Sequence, residues 1–117
     1  MNKTLTGNGV EISVDALQIK IPIFNQVVYF IIGQSDKISL IANIEDMSGA
    51  EMENEQGEYI IWVKAPKLST IVHEIYHVVE GLTENLMLGR SERAETQAYL
   101  TEFIFEKIYN YLNKKNG

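Results

Sequence analysis

The residues with the clearest chemical potential are His73, Glu74 and His77, which form an HExxH motif and include both histidines of the chain. On a helix, residues four apart lie one turn apart on the same face. The two imidazoles would then converge on one small cation. Glu74 would flank that face, where its carboxylate can reach a water molecule beside the cation. This combination is typical of a zinc hydrolase.

The same motif also permits a structural interpretation. A pattern with three fixed letters occurs by chance in many proteins. Two histidines on a buried helix face can also be core residues that are held by hydrogen bonds. The metal site is favoured because the sequence after the motif supplies carboxylates on a second predicted helix.

Length and composition limit the classes of function. The 117 residues suffice for a single domain, 1–117, with one modest core. A net charge of −6 without any basic run predicts that the protein does not bind nucleic acid. The absence of cysteine excludes disulfides and thiolate zinc sites. Because no segment resembles a signal peptide or reaches the roughly 18 apolar residues of a membrane span, we expect a cytoplasmic protein with no membrane contact.

The first half of the chain is predicted to be mostly strand. Residues 1–9 are polar and are expected to be a loose lead-in. Alternating apolar residues from Val10 to Ile23 predict one or two strands with a break near Asp15. The β-branched and aromatic run Val27–Ile32 predicts a buried strand. Residues 36–44 favour a short helix capped by Asp36, although their alternation also permits a strand.

The second half is predicted to be a hairpin followed by two helices. Residues 48–64 are expected to form the hairpin, with Trp62 in the core and with glutamates facing solvent at positions 51, 53 and 55. A helix follows the break at Pro66, starts at a Ser69 or Thr70 cap and ends at Gly81. After a loop over 83–90, a last helix begins near Ser91. Its predicted buried stripe is Ala94, Ala98, Thr101, Phe105, Ile108 and Leu112.

A catalytic zinc site needs a third protein ligand, which must be a carboxylate because the chain has no further histidine and no cysteine. Glu80 lies on the same helix as the histidines and would close the tetrahedron poorly. A residue from a second, crossing helix is geometrically better. On the last helix Glu95 lies about 100° from the centre of the apolar stripe, whereas Glu92 lies about 160° away. Glu95 is therefore the preferred ligand and Glu102 the reserve, while an exposed glutamate in the first turn is the alternative for Glu95.

The motif His73-Glu74-x-x-His77, followed by Glu95-x-x-Ala98-Tyr99-Leu100, resembles the small phage- and prophage-encoded zinc metallopeptidase-like proteins, which are minimal gluzincins. The resemblance covers roughly residues 58–104. It implies a zincin-like α+β fold, in which a small antiparallel or mixed sheet packs on a central HExxH helix that is followed by a C-terminal helix. It also implies Zn²⁺ on His73, His77 and Glu95, Glu74 as general base, and the cytoplasm of a bacterial host.

The predicted function is zinc-dependent hydrolysis of peptide bonds in a peptide or protein substrate that the sequence does not identify. Tyr76 and Tyr99 could stabilise an oxyanion, although core packing is favoured for both. A rival hypothesis is a non-catalytic interaction module that zinc stabilises by holding two helices together. Its acidic surface would then face a basic partner. A third possibility is a vestigial motif that binds no metal.

Overall fold

The computed structural model describes residues 1–22, 24–84 and 86–116, and these residues form strands and helices in the order expected of an α+β protein. Ile23 of the predicted second strand, Asn85 of the predicted loop and Gly117 lie outside the described residues. The strands are β1 (Asn2–Gly7), β2 (Val10–Asp15), β3 (Leu17–Ile21), β4 (Gln26–Ile32), β5 (Gly49–Glu53) and β6 (Tyr59–Val63). The helices are α1 (Ser35–Ile38), α2 (Leu68–Thr83) and α3 (Arg90–Asn116).

A mixed sheet of four strands forms the centre of the molecule, in the order β3-β4-β6-β5. β4 is antiparallel to β3 and parallel to β6, while β5 is antiparallel to β6. The predicted α+β class, the buried strand over Val27–Ile32, the break near Asp15 and the hairpin over 48–64 are confirmed. β5 lies at one edge of this sheet and α2 packs beside it.

The predicted loose lead-in is wrong, because residues 2–7 form β1 and pair with β2 along their whole length. The two residues between these strands, Asn8 and Gly9, have φ values of 52° and 74°. Positive φ at both positions is the geometry of a tight two-residue hairpin turn, which asparagine followed by glycine favours. The hairpin packs on the central sheet through a few buried side chains, among them Leu5, Ile12 and Val14.

Two apolar cores lie on opposite faces of the central sheet. On one face, α2 and α3 pack on the strands around Phe30, Ile61 and Val63. On the other face, the β1–β2 hairpin and α1 cover Tyr29, Ile31, Ile60 and Trp62. Trp62 is 1% exposed, which confirms its predicted core position, and its Nε1 donates a hydrogen bond to the carbonyl oxygen of Gly33 at 2.7 Å.

The helix boundaries differ from the predicted ones. α1 is shorter than the predicted helix over 36–44, and Gln34 precedes it with a left-handed φ of 53° in place of an Asp36 cap. α2 starts after Lys67 without a side-chain cap, so the predicted Ser69 and Thr70 caps are wrong. α2 also continues through Gly81 to Thr83. None of the described helices is both long enough and apolar enough to cross a membrane.

The buried stripe predicted for α3 is correct only toward its C-terminal end. Ile108 and Leu112 are buried as predicted, Thr101 and Phe105 are partly buried, and Ala94 and Ala98 are exposed. Leu100 and Ile104, which are both 0% exposed, continue the stripe toward the N-terminus. In its first turns, α3 therefore faces the protein with a different side from the predicted one. This rotation determines where the glutamates of the helix point.

Candidate metal centre

The HExxH motif lies in the middle of α2, whose opposite side is part of the core. Ile71, Ile75 and Val78 on that opposite side are 0% exposed. This burial fixes the helix about its axis, so that His73 and His77 emerge on the exposed side. The regular i, i+4 spacing then places one imidazole directly above the other.

The two imidazoles converge as the motif predicts. Nε2 of His73 and Nε2 of His77 are 3.2 Å apart, and the ring planes meet at 81°. Two nitrogens bound to one zinc ion at 2.0–2.1 Å in tetrahedral geometry are about 3.4 Å apart. The separation therefore fits two ligands of one ion, although it also fits a direct hydrogen bond between neutral rings.

Glu74 lies at the buried flank of the histidine pair. Its side chain is only 6% exposed. Its carboxylate and the ring nitrogens of His73 and His77 offer ligand atoms that all lie within 4.8 Å of one another. Among the described residues it has no hydrogen-bond partner. No buried side-chain oxygen of the described residues lacks a partner, so the carboxylate of Glu74 is open to the hollow that it lines with Gly49, Thr70 and His73, and a cation or a water molecule can reach it there.

The strand β5 forms the other side of this region, because its alternate residues face α2. Ala50 and Met52 pack into the core on the hairpin side of the sheet. The residues between and beside them, Gly49, Glu51 and Glu53, must then point to the α2 side, since successive side chains of a strand alternate. We call these three residues the β5 row. The solvent-facing edge predicted for Glu51 and Glu53 is wrong for Glu51, which is half-buried.

The β5 row and the C-terminal half of α2 enclose an open groove of about 430 Å³. Its lining is strongly acidic and consists of Glu51, Glu53, Tyr59, His77, Glu80, Gly81 and Glu84. Burial raises the pKa of the Glu51 carboxyl, as do the carboxylates of Glu53 and Glu74, whereas His77 lowers it. Burial and the nearby carboxylates also raise the pKa of the Tyr59 hydroxyl. The groove thus offers several oxygen atoms beside one imidazole.

The structure does not bring Glu95 to the histidines. Gln97 faces α2, because its Nε2 donates to Glu80 Oε1 at 2.9 Å and to Thr83 Oγ1 at 3.1 Å. Glu95 lies two residues before Gln97, which is about 200° around the helix. Its side chain is exposed and lines a small hollow with Phe24, Thr96 and Tyr99. The reserve choice, Glu102, is also exposed. The expected position of Glu95 at the border of the buried face is therefore not observed.

The two tyrosines discussed as core residues or oxyanion donors are both on the surface. Tyr76 is 59% exposed and Tyr99 is 47% exposed, so the favoured prediction of core packing is wrong for both. The ring of Tyr76 contacts the ring of His77 edge-on, with centroids 5.7 Å apart. Tyr76 is thus close to the candidate site, whereas Tyr99 lies with Glu95 beside Phe24.

Comparisons of the chain with models of protein families, with curated proteins and with solved structures find no match. The resemblance to phage metallopeptidase-like proteins therefore stays a prediction that depends on the motif and on the geometry above. Of the residues that it implies, the structure brings together His73, Glu74 and His77, and it leaves Glu95 elsewhere. Glu51, which was expected to face solvent, lines the groove beside His77. Its alternation with the core residues Ala50 and Met52 is the sequence feature that could have placed it there.

Proposed function

We propose that the protein is a zinc-dependent hydrolase of peptide bonds with a zincin-like fold. His73 and His77 are ligands of the zinc ion and Glu74 is the general base. The observation that carries this proposal is the 3.2 Å separation of the two Nε2 atoms, together with the carboxylate of Glu74, whose ligand atom lies within 4.8 Å of those of both imidazoles. A zinc ion at this position would lower the pKa of a water molecule toward about 7 and polarise a carbonyl.

The role of Glu74 follows from its place between the histidines and the sheet. Its carboxylate takes a proton from the attacking water while the oxygen bonds to the carbonyl carbon of the substrate. The C–N bond then breaks, and Glu74 passes the proton to the leaving amine. The side chain of Glu74 lies close to the β5 row, because a Cβ atom on Gly49 would approach its Cγ to 3.3 Å.

The edge strand β5 supports a polypeptide as substrate. Within the described residues β5 pairs only with β6, so its outer edge presents free backbone groups, and Glu51 and Glu53 of this strand share a groove with His77. An extended peptide can add to such an edge by backbone hydrogen bonds and present its scissile bond to the site. The side chains that would face it from the β5 row are acidic or absent.

The rival function is a non-catalytic, zinc-stabilised interaction module. One observation favours it: the described residues place only Glu74 beside the two histidines, without the third ligand that a catalytic site requires. Metal binding without turnover would then be the whole activity of the site. The experiment below separates the two functions.

We expect Glu74→Gln to bind as much zinc as the wild type and to lose hydrolysis by about 10²–10⁴-fold, because the general base is removed and both imidazoles remain. Zinc content is measured by elemental analysis and cleavage by mass spectrometry of a peptide library. Glu84→Gln, at the far end of the groove, is the matched control and should cleave as the wild type does. Equal cleavage by Glu74→Gln contradicts its role as base. Zinc binding without cleavage in the wild type supports the module, and absence of zinc binding overturns the site itself.

A further inference from the structure

The candidate centre offers two imidazole ligands, and its third protein ligand must be a carboxylate because the chain has no further histidine and no cysteine. This inference depends on the proposed function, since it concerns the same ion. The groove brings two half-buried carboxylates near His77 that are not part of the motif, Glu51 from β5 and Glu80 from α2. Glu95, which the sequence resemblance implies, lies on the far side of α3.

The register between β5 and α2 places Glu51 at the level of His77. A Cβ atom built on Gly49 would lie 2.7 Å from Thr70 Cγ2 and 3.3 Å from Glu74 Cγ, so the strand touches the helix there. The strand and the helix run in the same direction, because Gly49 lies beside Thr70 and Glu74, whereas Glu51 and Glu53 line a groove with later residues of α2, His77 to Glu84. Two residues along a strand advance about 6.7 Å, and the same distance on a helix is between four and five residues. Gly49 lies level with the turn of α2 between Thr70 and Glu74. Glu51 lies two strand residues further along, which corresponds to about four or five helix residues and therefore to the level of His77.

The lining of the groove agrees with this register. Gly49 lines a separate hollow with Thr70, His73 and Glu74. The next two members of the β5 row, Glu51 and Glu53, line the groove together with His77 and the later turns of α2. Glu51 also lies close enough to His77 and Glu74 to interact with the charges of both. Glu51 therefore faces His77 from the opposite side of the groove.

The two carboxylates differ in how they are engaged. Glu80 Oε1 accepts a hydrogen bond from Gln97, whose amide also donates to Thr83. Glu80 also comes from the same helix as the histidines, so all ligands would approach the ion from one side. Glu51 has no hydrogen-bond partner among the described residues, and it comes from a second element. A ligand from the facing element encloses a tetrahedral ion better than a third one from the same helix.

We propose that Glu51 is the third protein ligand of the zinc ion, so that the ion connects the edge strand β5 to α2. Glu80 then stays outside the coordination of the ion, and its carboxylate accepts the hydrogen bond from Gln97. One consequence is that metal binding fixes the strand to which a substrate peptide would add.

The test is the zinc affinity of the metal-free full chain, measured by competition with a chromophoric chelator. We expect Glu51→Gln to weaken zinc binding by more than about 100-fold, which exceeds the 10- to 100-fold range of residues that only support a ligand. Glu53→Gln is the matched control on the same row and should bind as the wild type does. Glu51→His, which restores a ligand atom, should recover most of the affinity and shows that loss of binding is not loss of folding.

Three further results decide the outcome. Unchanged affinity in Glu51→Gln overturns the proposal, and so does a loss of more than about 100-fold in Glu95→Gln or Glu80→Gln alone, which would place the third ligand on α3 or α2. His73→Ala and His77→Ala must abolish binding in every case. If they do not, the proposed zinc centre itself fails, and that failure is distinct from the failure of Glu51. Cobalt-substituted protein provides a second readout, because loss of a carboxylate ligand changes its visible absorption spectrum.

Discussion

The two faces of the central sheet are covered in different ways. On the hairpin side, β1, β2 and α1 cover β4, β6 and β5, and even the edge strand contributes Ala50 and Met52 to the core. On the helical side, α2 and α3 cover β3, β4 and β6, but the β5 row supplies a glycine and two glutamates in place of apolar side chains. The edge strand β5 is thus covered by the apolar core on one face, the closed face, and borders the acidic groove on the other, the open face.

The two faces also differ in whether their carboxylates have hydrogen-bond partners. Buried polar groups on the hairpin side are paired: Glu58 binds Lys3 at 3.0 Å and Asn54 at 2.7 Å. On the open side, Glu51 is half-buried without a hydrogen-bond partner among the described residues. Unpaired burial of carboxylates reduces stability, and such sites are therefore candidates for binding or catalysis.

The largest effect is expected on the closed face. Trp62→Ala removes a side chain that is 1% exposed and its hydrogen bond to Gly33, so we expect the free energy of unfolding to fall by about 3–5 kcal/mol. Denaturant unfolding followed by circular dichroism measures this. Tyr99→Ala is the control for an exposed aromatic residue, and its loss should stay within about 0.5 kcal/mol. A small loss for Trp62→Ala would contradict the description of this face as a closed core.

A smaller effect is expected where β5 touches α2. Gly49→Ala places a methyl group 2.7 Å from Thr70 Cγ2 and 3.1 Å from the carbonyl oxygen of Trp62, so we expect a loss of about 1–3 kcal/mol from overpacking. Thr70→Ser removes the methyl group that is met first. The double variant should regain part of the stability, as a thermodynamic cycle would show. Strict additivity of the two substitutions would mean that the strand and helix are not in close contact here.

The smallest expected effect is a difference between the two faces in how the free energy of unfolding depends on pH. The Asn54 hydrogen bond and Lys3 hold the pKa of Glu58 below its usual value near 4.5. Its stabilisation is therefore present above the pKa of the unfolded chain and is lost as pH falls through the lower folded pKa. We expect Glu58→Gln to cost about 1 kcal/mol at pH 7, and the difference from wild type should vanish in acid.

Glu51→Gln is the matching substitution on the open face, and its pH dependence should have the opposite sign. The pKa of Glu51 is raised, mainly by burial, so its ionised form disfavours the folded state at pH 7. The metal-free variant should be at least as stable as the wild type at pH 7, and any gain should vanish below the unfolded pKa. Unfolding curves of both variants between pH 3 and 7 make the comparison. Parallel curves would show that the two carboxylates have similar surroundings.

The local sequence pattern was sufficient to predict many of the strands and helices that position the site. The apolar run Val27–Ile32 and the hairpin over 48–64 need only their own sequence to be recognised, because turn residues flank them. The convergence of His73 and His77 follows from the i, i+4 spacing alone. The N-terminal hairpin was also readable from its Asn8-Gly9 turn, but polar residues dominate β1, and only Leu5 is buried there.

The positions of Glu51 and Glu95 relative to the histidines could not be read from the sequence, because they depend on how elements dock. The sequence pattern of α3 does not define which side of the helix faces the protein, because aromatic residues lie on several sides. These residues are Tyr99, Phe103, Phe105, Tyr109 and Tyr111. The contacts of Arg93 and Gln97 with the end of α2 decide its rotation, and they turn Glu95 outward. These are tertiary contacts that a helical period does not reveal.

All residues assigned to the centre belong to one continuous stretch, residues 49–83, which contains β5, β6 and α2. Contacts close in sequence form early and without long loop closure, so this stretch can assemble before α3 docks on it. It should also behave as one cooperative unit in amide hydrogen exchange. A bound ion would then slow exchange across the edge strand and the motif helix together, while the N-terminal hairpin would keep its own rate.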